Sequence, residues 1–291
     1  MLSDCGGRQP GADMTEYEQL QLETLRRWEQ ETPGWGTRLL AKPGASAATA
    51  VKSLVPVSAL RAALNGLNDV AFRYSGREAL LKTAGLDEPR QLRGLPLEVC
   101  DQLSRQVERR AMAMAGAGGA VLGVAGAAGM VVDVPALLGL ALRTIHRTAM
   151  CYGEEGLQAH KAMAIGIFAL ASANSMDEKQ AALAALRSRG DLLDAAWRDG
   201  VERVAEREMA KEAAVFSMQT LASRIGVQLG RRKVMGVVPV LGAAVGASMN
   251  AWYIHDVSGV ARYVFQERWL HAKYPKNKAL SAPFKVLTAP Q

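Results

Sequence analysis

The side chains here best able to do chemistry are four histidines, three cysteines and a few isolated acidic residues, and their spacing constrains what they could do. His146, His160, His255 and His271 are too scattered to share a metal ion, so no metal or cofactor is expected. His255 next to Asp256 is the one close pairing of histidine and carboxylate. Neighbouring positions on a helix do not face each other, so the pair reads first as two surface residues and only second as a catalytic dyad. Asp133 is the sole charged residue between Ala111 and Leu142. Standing two residues before Pro135, it reads as the N-cap of a helix beginning near Val134; buried beside Arg143 or Arg147 it would instead make an ion pair in a low-dielectric site. Asn250, inside a second uncharged stretch, reads as an interhelical hydrogen-bond partner before it reads as a ligand.

The sequence holds no Walker A run, no GxSxG, no HExxH and no Asp-rich calcium loop, which removes the specific signatures of several enzyme classes. Gly116, Gly118 and Gly119 follow a helical pattern and precede no lysine, so they do not cradle a phosphate. Cys5, Cys100 and Cys151 are odd in number and far apart, which points to free thiols in a reducing compartment. The opening residues lack the basic and apolar run of a secretory signal, and the LSDC at Leu2–Cys5 lacks the apolar stretch that lipidation requires. Lys plus Arg number 35 against 28 for Asp plus Glu, a net charge of +7 that favours anionic surfaces. Aromatic residues are only 5%, too few stacking platforms for single-stranded nucleic acid, so no nucleic-acid partner is expected. With 49% apolar and 22% charged residues, the chain is neither disordered nor a polytopic transporter.

Helical signals recur along the whole sequence. Thr15 and Glu18 have capping-box spacing, and Tyr17, Leu20, Leu25 and Trp28 continue an amphipathic pattern to about Glu31, read as an outlying arm. Pro33, Gly34, Gly36, Pro43 and Gly44 then mark a linker. Ser75 with Glu78 and Ser175 with Glu178 repeat the capping-box spacing, Pro96 suits a first helical turn, and Asp191 precedes another amphipathic run. No sustained alternation of β-branched and polar residues occurs. The expected fold is all-α, a multi-helix bundle with two Gly/Ala-rich apolar helical hairpins packed centrally. The expected division is an N-terminal helix and linker over 1–46, a helical domain over 47–274 and a basic tail over 275–291.

Two segments carry no charge: Ala111–Val132 and Val234–Ile254, each about as long as a bilayer-crossing helix. The first is mostly Ala and Gly, which gain little from lipid, and Gly119 with Gly123, Gly226 with Gly230 and Gly242 with Gly246 are GxxxG pairs suited to close helix contact. The pattern leaves open, in this order, a buried hairpin, shallow or re-entrant membrane insertion, and a true span. A hairpin would turn near Asp133 and Pro135. Arg105, Arg109, Arg110, Arg143 and Arg147 flank the first segment, and Arg224, Arg231, Arg232 and Lys233 precede the second. Basic residues at both ends suggest that both ends stay on the cytoplasmic side, although each arginine also suits an ordinary solvated face. The segments share a short Val, Pro and Gly pattern followed by His146 in one case and His255 in the other, a weak hint of duplication.

From about Leu103 to Tyr274 the chain resembles the EcsC family of bacterial proteins. The resemblance rests on DVPALLGLALRTIHRTAMCYG at Asp133–Gly153, a weaker central MDEKQAALAALRS at Met176–Ser188, and VVPVLGAAVGASMNAWYIHDVSGVARYVFQERWL at Val237–Leu270. Asp133, Pro135, Arg143, Tyr152 and Gly153 in the first block, and Pro239, Gly242, Gly246 and Asn250 in the third, look like recurrent family positions. The resemblance implies an association with the cell envelope or export, with an envelope or transporter complex as the candidate partner, and carries no established enzymatic activity. The leading expectation is a non-enzymatic accessory factor at the cytoplasmic face of the inner membrane, bound peripherally or shallowly through lipid. The ligand or interaction candidates are Asp133, Pro135, Arg143, His146, Tyr152, Gly153, Pro239, Asn250 and His255, and the membrane-surface candidates are Arg109, Arg110, Arg231, Arg232 and Lys233. The alternatives are a soluble carrier of lipid or another apolar ligand, and a hydrolase with a site near Asp133 and His255.

Overall fold

Periodic burial of apolar residues along helices explains the architecture, which is helical throughout the described residues. The computed structural model describes residues 14–33, 68–73, 75–124, 126–154, 163–164, 166–168, 170–171, 173, 175–188, 239–277 and 280. Seven α-helices are seen there: α1 (Glu16–Gln30), α2 (Asn68–Arg73), α3 (Arg77–Ala84), α4 (Leu97–Val124), α5 (Gly126–Cys151), α6 (Met176–Ser188) and α7 (Pro239–Lys273). A 3₁₀ turn at Pro89–Gly94 joins α3 to α4.

The centre is a three-helix packing of α4, α5 and α7, with α2 and α3 laid against α5 and with α1 against α4 and α7. On α4 the buried positions Cys100, Ser104, Val107, Ala111 and Ala115 recur every three or four residues, a single stripe facing α7 and α5. The C-terminal half of α7 is buried on more than one side, with Tyr253, Val257, Phe265 and Leu270 each at 1% exposure or less. Burying a side chain of this size stabilises by about 1.5–3 kcal/mol, so this helix supplies a large share of the core. Small residues at Ala141 and Ala149, both fully buried, let α5 lie close to its neighbours. Cys100 and Cys151 are buried free thiols, and burial pushes the Cys151 thiol well up.

The uncharged stretch 111–132 is not one helix. It forms the end of α4 and the start of α5, so the helix boundary comes before Asp133 and Pro135, where the sequence pattern places the turn of the hairpin. Both of those residues sit inside α5, seven or more positions past its start, so Asp133 does not cap a helix beginning at Val134. Pro135 removes one backbone hydrogen bond, costing about 3 kcal/mol in a helix interior, and the buried face from Leu137 to Tyr152 offsets it. Residues 239–254 of the second stretch form the first half of α7, which continues as one helix to Lys273, and Pro239 stands at its first helical position, where a missing N–H costs nothing. No described helix is long and apolar enough to cross a membrane.

The capping signals divide. Thr15 and Glu18 close their box, with Glu18 N donating to Thr15 Oγ1 at 3.3 Å and Thr15 N to Glu18 Oε2 at 2.9 Å. Glu178 N donates to Ser175 Oγ at 3.2 Å as the spacing predicts. At the third site the helix begins one residue later: Gly76, in the left-handed region at φ 74°, is the N-cap of α3, and Ser75 turns its hydroxyl to Met150 Sδ. Asp191 lies outside the described residues.

Nor is α1 an outlying arm. Leu22 and Leu25 are buried, Trp28 stacks on Tyr263 of α7 at 4.6 Å between centroids, and Lys179 of α6 donates to the carbonyls of Trp28 and Glu31, capping the C-terminus of α1 with a positive charge. At its other end Glu18 accepts from Lys273 Nζ at 2.7 Å and from Tyr274 OH at 2.6 Å. Arg187 of α6 bridges Glu29 of α1 and Glu267 of α7.

One carboxylate joins these helices. Asp101 on α4, 1% exposed, accepts from Tyr17 OH of α1 at 2.6 Å, from Tyr152 OH beyond α5 at 2.5 Å, and from Gln266 Nε2 of α7 at 2.8 Å. Burial, together with the hydrogen bond to Asp101 and its charge, pushes both phenols up in pKa and keeps them as donors. Tyr152 is placed by the turn that ends α5, in which Gly153 N donates to Met150 O and Glu154 N to Ala149 O, the paired bonds of a Schellman motif. Gly153 has φ 74°, and a Cβ there would lie 2.6 Å from Arg93 Cα, so this position admits only glycine.

Truncating Asp101 removes the acceptor shared by Tyr17, Tyr152 and Gln266 and leaves Tyr152 with Ser104 Oγ at 3.3 Å and Gln266 with Gln21 Oε1 at 3.3 Å, so Asp101→Ala is expected to lose about 3–5 kcal/mol in urea unfolding and Tyr152→Phe about 1–2 kcal/mol. Tyr152→Phe costing as much as Asp101→Ala would contradict this account of the hub. Gly153→Ala is expected to lose about 2–4 kcal/mol by the same measurement, and a neutral result would show that the turn relaxes freely.

Candidate functional site

Where α4 and α7 cross, a second buried carboxylate meets two cationic side chains. Glu108 lies seven residues beyond Asp101, two turns along the same face of α4, and is 7% exposed. His255 and Arg262 have the same seven-residue separation on α7, and both reach Glu108: His255 Nδ1 lies 2.5 Å from its Oε1, and Arg262 Nη1 donates to its Oε2 at 2.8 Å. Burial by itself would raise the Glu108 pKa, but the hydrogen bond from His255 and the charge of Arg262 outweigh it and hold the carboxyl below the usual range. In turn the hydrogen bond to Glu108 raises the His255 pKa against the opposing pull of burial.

Two depressions flank this cluster. The first, a cleft of about 380 Å³, runs between the end of α1, the start of α6 and α7, and its walls include Trp28, Lys179, Trp252, His255, Arg262 and Tyr263. Lys179 Nζ sits 4.4 Å above the Trp28 ring, and the Arg262 guanidinium 5.7 Å from the centre of Tyr263, so both cations rest on aromatic faces. The second, on the other side of Glu108, is formed by Gln102, Arg105, Gln106, Arg109 and Arg262. Arg262 lines both. Glu108 is thus shared by an arginine and a histidine held toward its charged form, and the first cleft carries both signs of charge, with Glu31 and Asp256 beside Lys179 and Arg262.

A histidine oriented by a carboxylate also has the form of a general base. Glu108 is the hydrogen-bond partner of His255 among the described residues, and no hydroxyl or thiol stands within bonding distance of it there. Among the described residues no three His, Cys, Asp or Glu side chains are placed to hold a metal ion.

The structure separates most of the residues singled out in the sequence. His255 is half-exposed and belongs to the cluster, although its partner is Glu108 rather than the adjacent Asp256. Tyr152 and Gly153 build the hub around Asp101, His146 is fully buried in α5, and Asn250 is buried on α7. Arg143 lies against Gly76 at the start of α3. Arg109 and Arg110 are exposed on α4, whereas Arg231, Arg232 and Lys233 lie outside the described residues. Asp101, Glu108, Arg262 and Gln266 are the residues that sequence reading passed over. Their signal was present, because charged or amide side chains recurring at helical spacing inside an apolar stripe must find partners across the interface.

A histidine whose folded pKa lies above its free value stabilises the fold fully below about pH 6.5, and that contribution fades as pH rises through the folded value. His255→Gln is therefore expected to lower the melting temperature more at pH 6 than at pH 8.5. In a nuclear magnetic resonance titration the His255 midpoint should lie above 6.5, and a midpoint at or below that value would remove the proposed ion pair.

The chain matches the EcsC protein family over residues 19–270, a span that takes in most of α1 and reaches farther toward the N-terminus than the motif blocks. It is 24% identical over 178 residues to the uncharacterised protein YdbA of Bacillus subtilis (strain 168), covering 61% of this chain and 60% of that protein's length. No solved structure matches it. The matched span takes in well over half of the chain and holds Asp101, Glu108, His255 and Arg262, and the chain belongs to the EcsC protein family.

Proposed function

We propose that this protein works by binding rather than turnover, docking peripherally on an anionic membrane surface as an accessory factor at the cytoplasmic face of the cell envelope. The observation that supports this reading is the outward face of α4. Arg105 and Arg109, and likewise Arg110 and Met114, are spaced one helical turn apart and are exposed, Met114 by 52%. Neither Arg109 nor Arg110 is paired with a carboxylate among the described residues, in contrast to Arg187, Arg262 and Arg268. An exposed thioether one turn beyond unpaired arginines, at the edge of an uncharged hairpin tip, offers both components of interfacial binding: charge for the headgroups and apolar surface for the acyl boundary. Shallow docking also accords with a hairpin whose helices are not long and apolar enough to cross a bilayer.

Basic residues near an anionic surface contribute about 1 kcal/mol each, so the double variant Arg109→Gln, Arg110→Gln is expected to weaken binding to phosphatidylglycerol vesicles by about 30-fold in flotation. Binding of the unaltered protein should fall as salt rises and be absent from phosphatidylcholine vesicles. Failure to float with phosphatidylglycerol at low salt would overturn the proposal.

A further inference from the structure

Arg143 and Arg147 stand one turn apart on the same face of α5, a spacing at which like charges repel. The Nε atoms of both are shut off from solvent and have no hydrogen-bond partner. Burial opposes the charge of Arg147 most, and among the described residues the charged groups acting on it are Arg143 and Arg110, which oppose it too; no carboxylate is among them. Both side chains are partly exposed, so the arrangement leaves an excess of positive charge on this face with no carboxylate beside it among the described residues.

The surroundings add a second positive feature. α3 begins at Gly76, whose left-handed backbone supplies no side-chain cap, so the amides of its first turn have no side-chain acceptor from the N-cap. Arg143 Nη2 lies 3.8 Å from where a Cβ on Gly76 would stand, which brings a guanidinium to the positive end of a helix. Glu78 in the first turn is exposed and forms no ion pair with either arginine among the described residues. Unpaired arginines and an open helix N-terminus are mutually unfavourable alone and mutually reinforcing around an anion.

We propose that Arg143, Arg147 and the first turn of α3 form a recognition site for a phosphate group, with Arg110 adding to its field from α4. The planar guanidinium fork and the helix amides both match phosphate oxygens, and a doubly charged monoester answers the excess of positive charge better than a diester does. The phosphate could be carried by a lipid headgroup or by a soluble compound. The site shares Arg110 with the exposed face of α4 but is centred on α5 and α3, so a soluble probe tests it without membrane docking.

The test uses the full chain and pyrophosphate as the soluble probe, in the absence of lipid. Pyrophosphate should raise the melting temperature beyond sodium chloride of equal ionic strength, and Arg143→Gln should weaken its binding at least tenfold by calorimetry. Arg147→Lys, which keeps the charge and loses the fork, should also weaken it, while Arg109→Gln should leave it unchanged. A parallel arm compares vesicles containing phosphatidic acid with vesicles of equal charge containing phosphatidylglycerol. An Arg143-dependent preference for phosphatidic acid assigns the site to a lipid monoester; pyrophosphate binding without that preference assigns it to a soluble one. If the folded, unaltered protein shows neither pyrophosphate stabilisation nor the lipid preference, or if Arg143→Gln and Arg147→Lys bind as the unaltered protein does, the site is overturned. Because the soluble arm contains no membrane, its failure is distinct from a failure of flotation.

Discussion

Asp101 is the constraint on which the arrangement of helices depends. A buried carboxylate must satisfy its acceptor sites, and here the donors come from three other segments: Tyr17 of α1, Tyr152 after α5 and Gln266 of α7. Apolar packing alone would allow these helices to slide or rotate against one another at small cost. Donors at fixed distances from one carboxylate do not, so this hub sets the register of α1, α4 and α7 together. The Gly153 turn belongs to the same constraint, because it delivers the Tyr152 hydroxyl to the hub, and the bond from Arg93 Nε to Gly153 O at 3.0 Å anchors the turn from the other side.

With the register fixed, the polar residues of α7 fall into line. Asn250, His255, Arg262, Gln266 and Glu267 all belong to a helix whose other residues are largely buried core. Three of the four buried carboxylates among the described residues have a cation, Glu18 with Lys273, Glu108 with Arg262 and His255, and Glu267 with Arg187, whereas Asp101 is met by neutral donors. Burial is nonetheless strong enough at Glu267 to push its pKa up to about 7 in spite of Arg187. Arg143 and Arg147 differ from Arg187 and Arg262 in having no carboxylate partner among the described residues.

Fold class was legible because helical periodicity and capping chemistry are local. The Thr15–Glu18 and Ser175–Glu178 boxes were readable from two residues apiece. Ser75 and Glu78 show the limit of that reading: the same spacing occurs, but the glycine between them, free to adopt a left-handed backbone, takes the cap and shifts the helix start. Asp133 and Pro135 misled for a related reason, since a proline signals a helix boundary only when no tertiary packing sustains the helix through it. The site was less legible because its partners are distant in sequence. Glu108 and His255 are 147 positions apart, and nothing local marks either as the other's partner, so the adjacent Asp256 drew attention instead.

The docking of α1 has a consequence for how the chain is made. Its contacts reach residues 101, 187, 263, 266, 273 and 274, so this helix finds some of its partners in segments synthesised long after it. At about 5–20 residues per second, Glu18 waits roughly 10–50 s for Lys273 and Tyr274. During that interval Leu22, Leu25 and Trp28 form an apolar stripe with no core beneath it, open to a chaperone or to a neighbouring nascent chain. Closure of α1 over α4 and α7 is therefore a late event that waits for the end of α7, and the polar clasp formed by Glu18, Lys273 and Tyr274 records its completion.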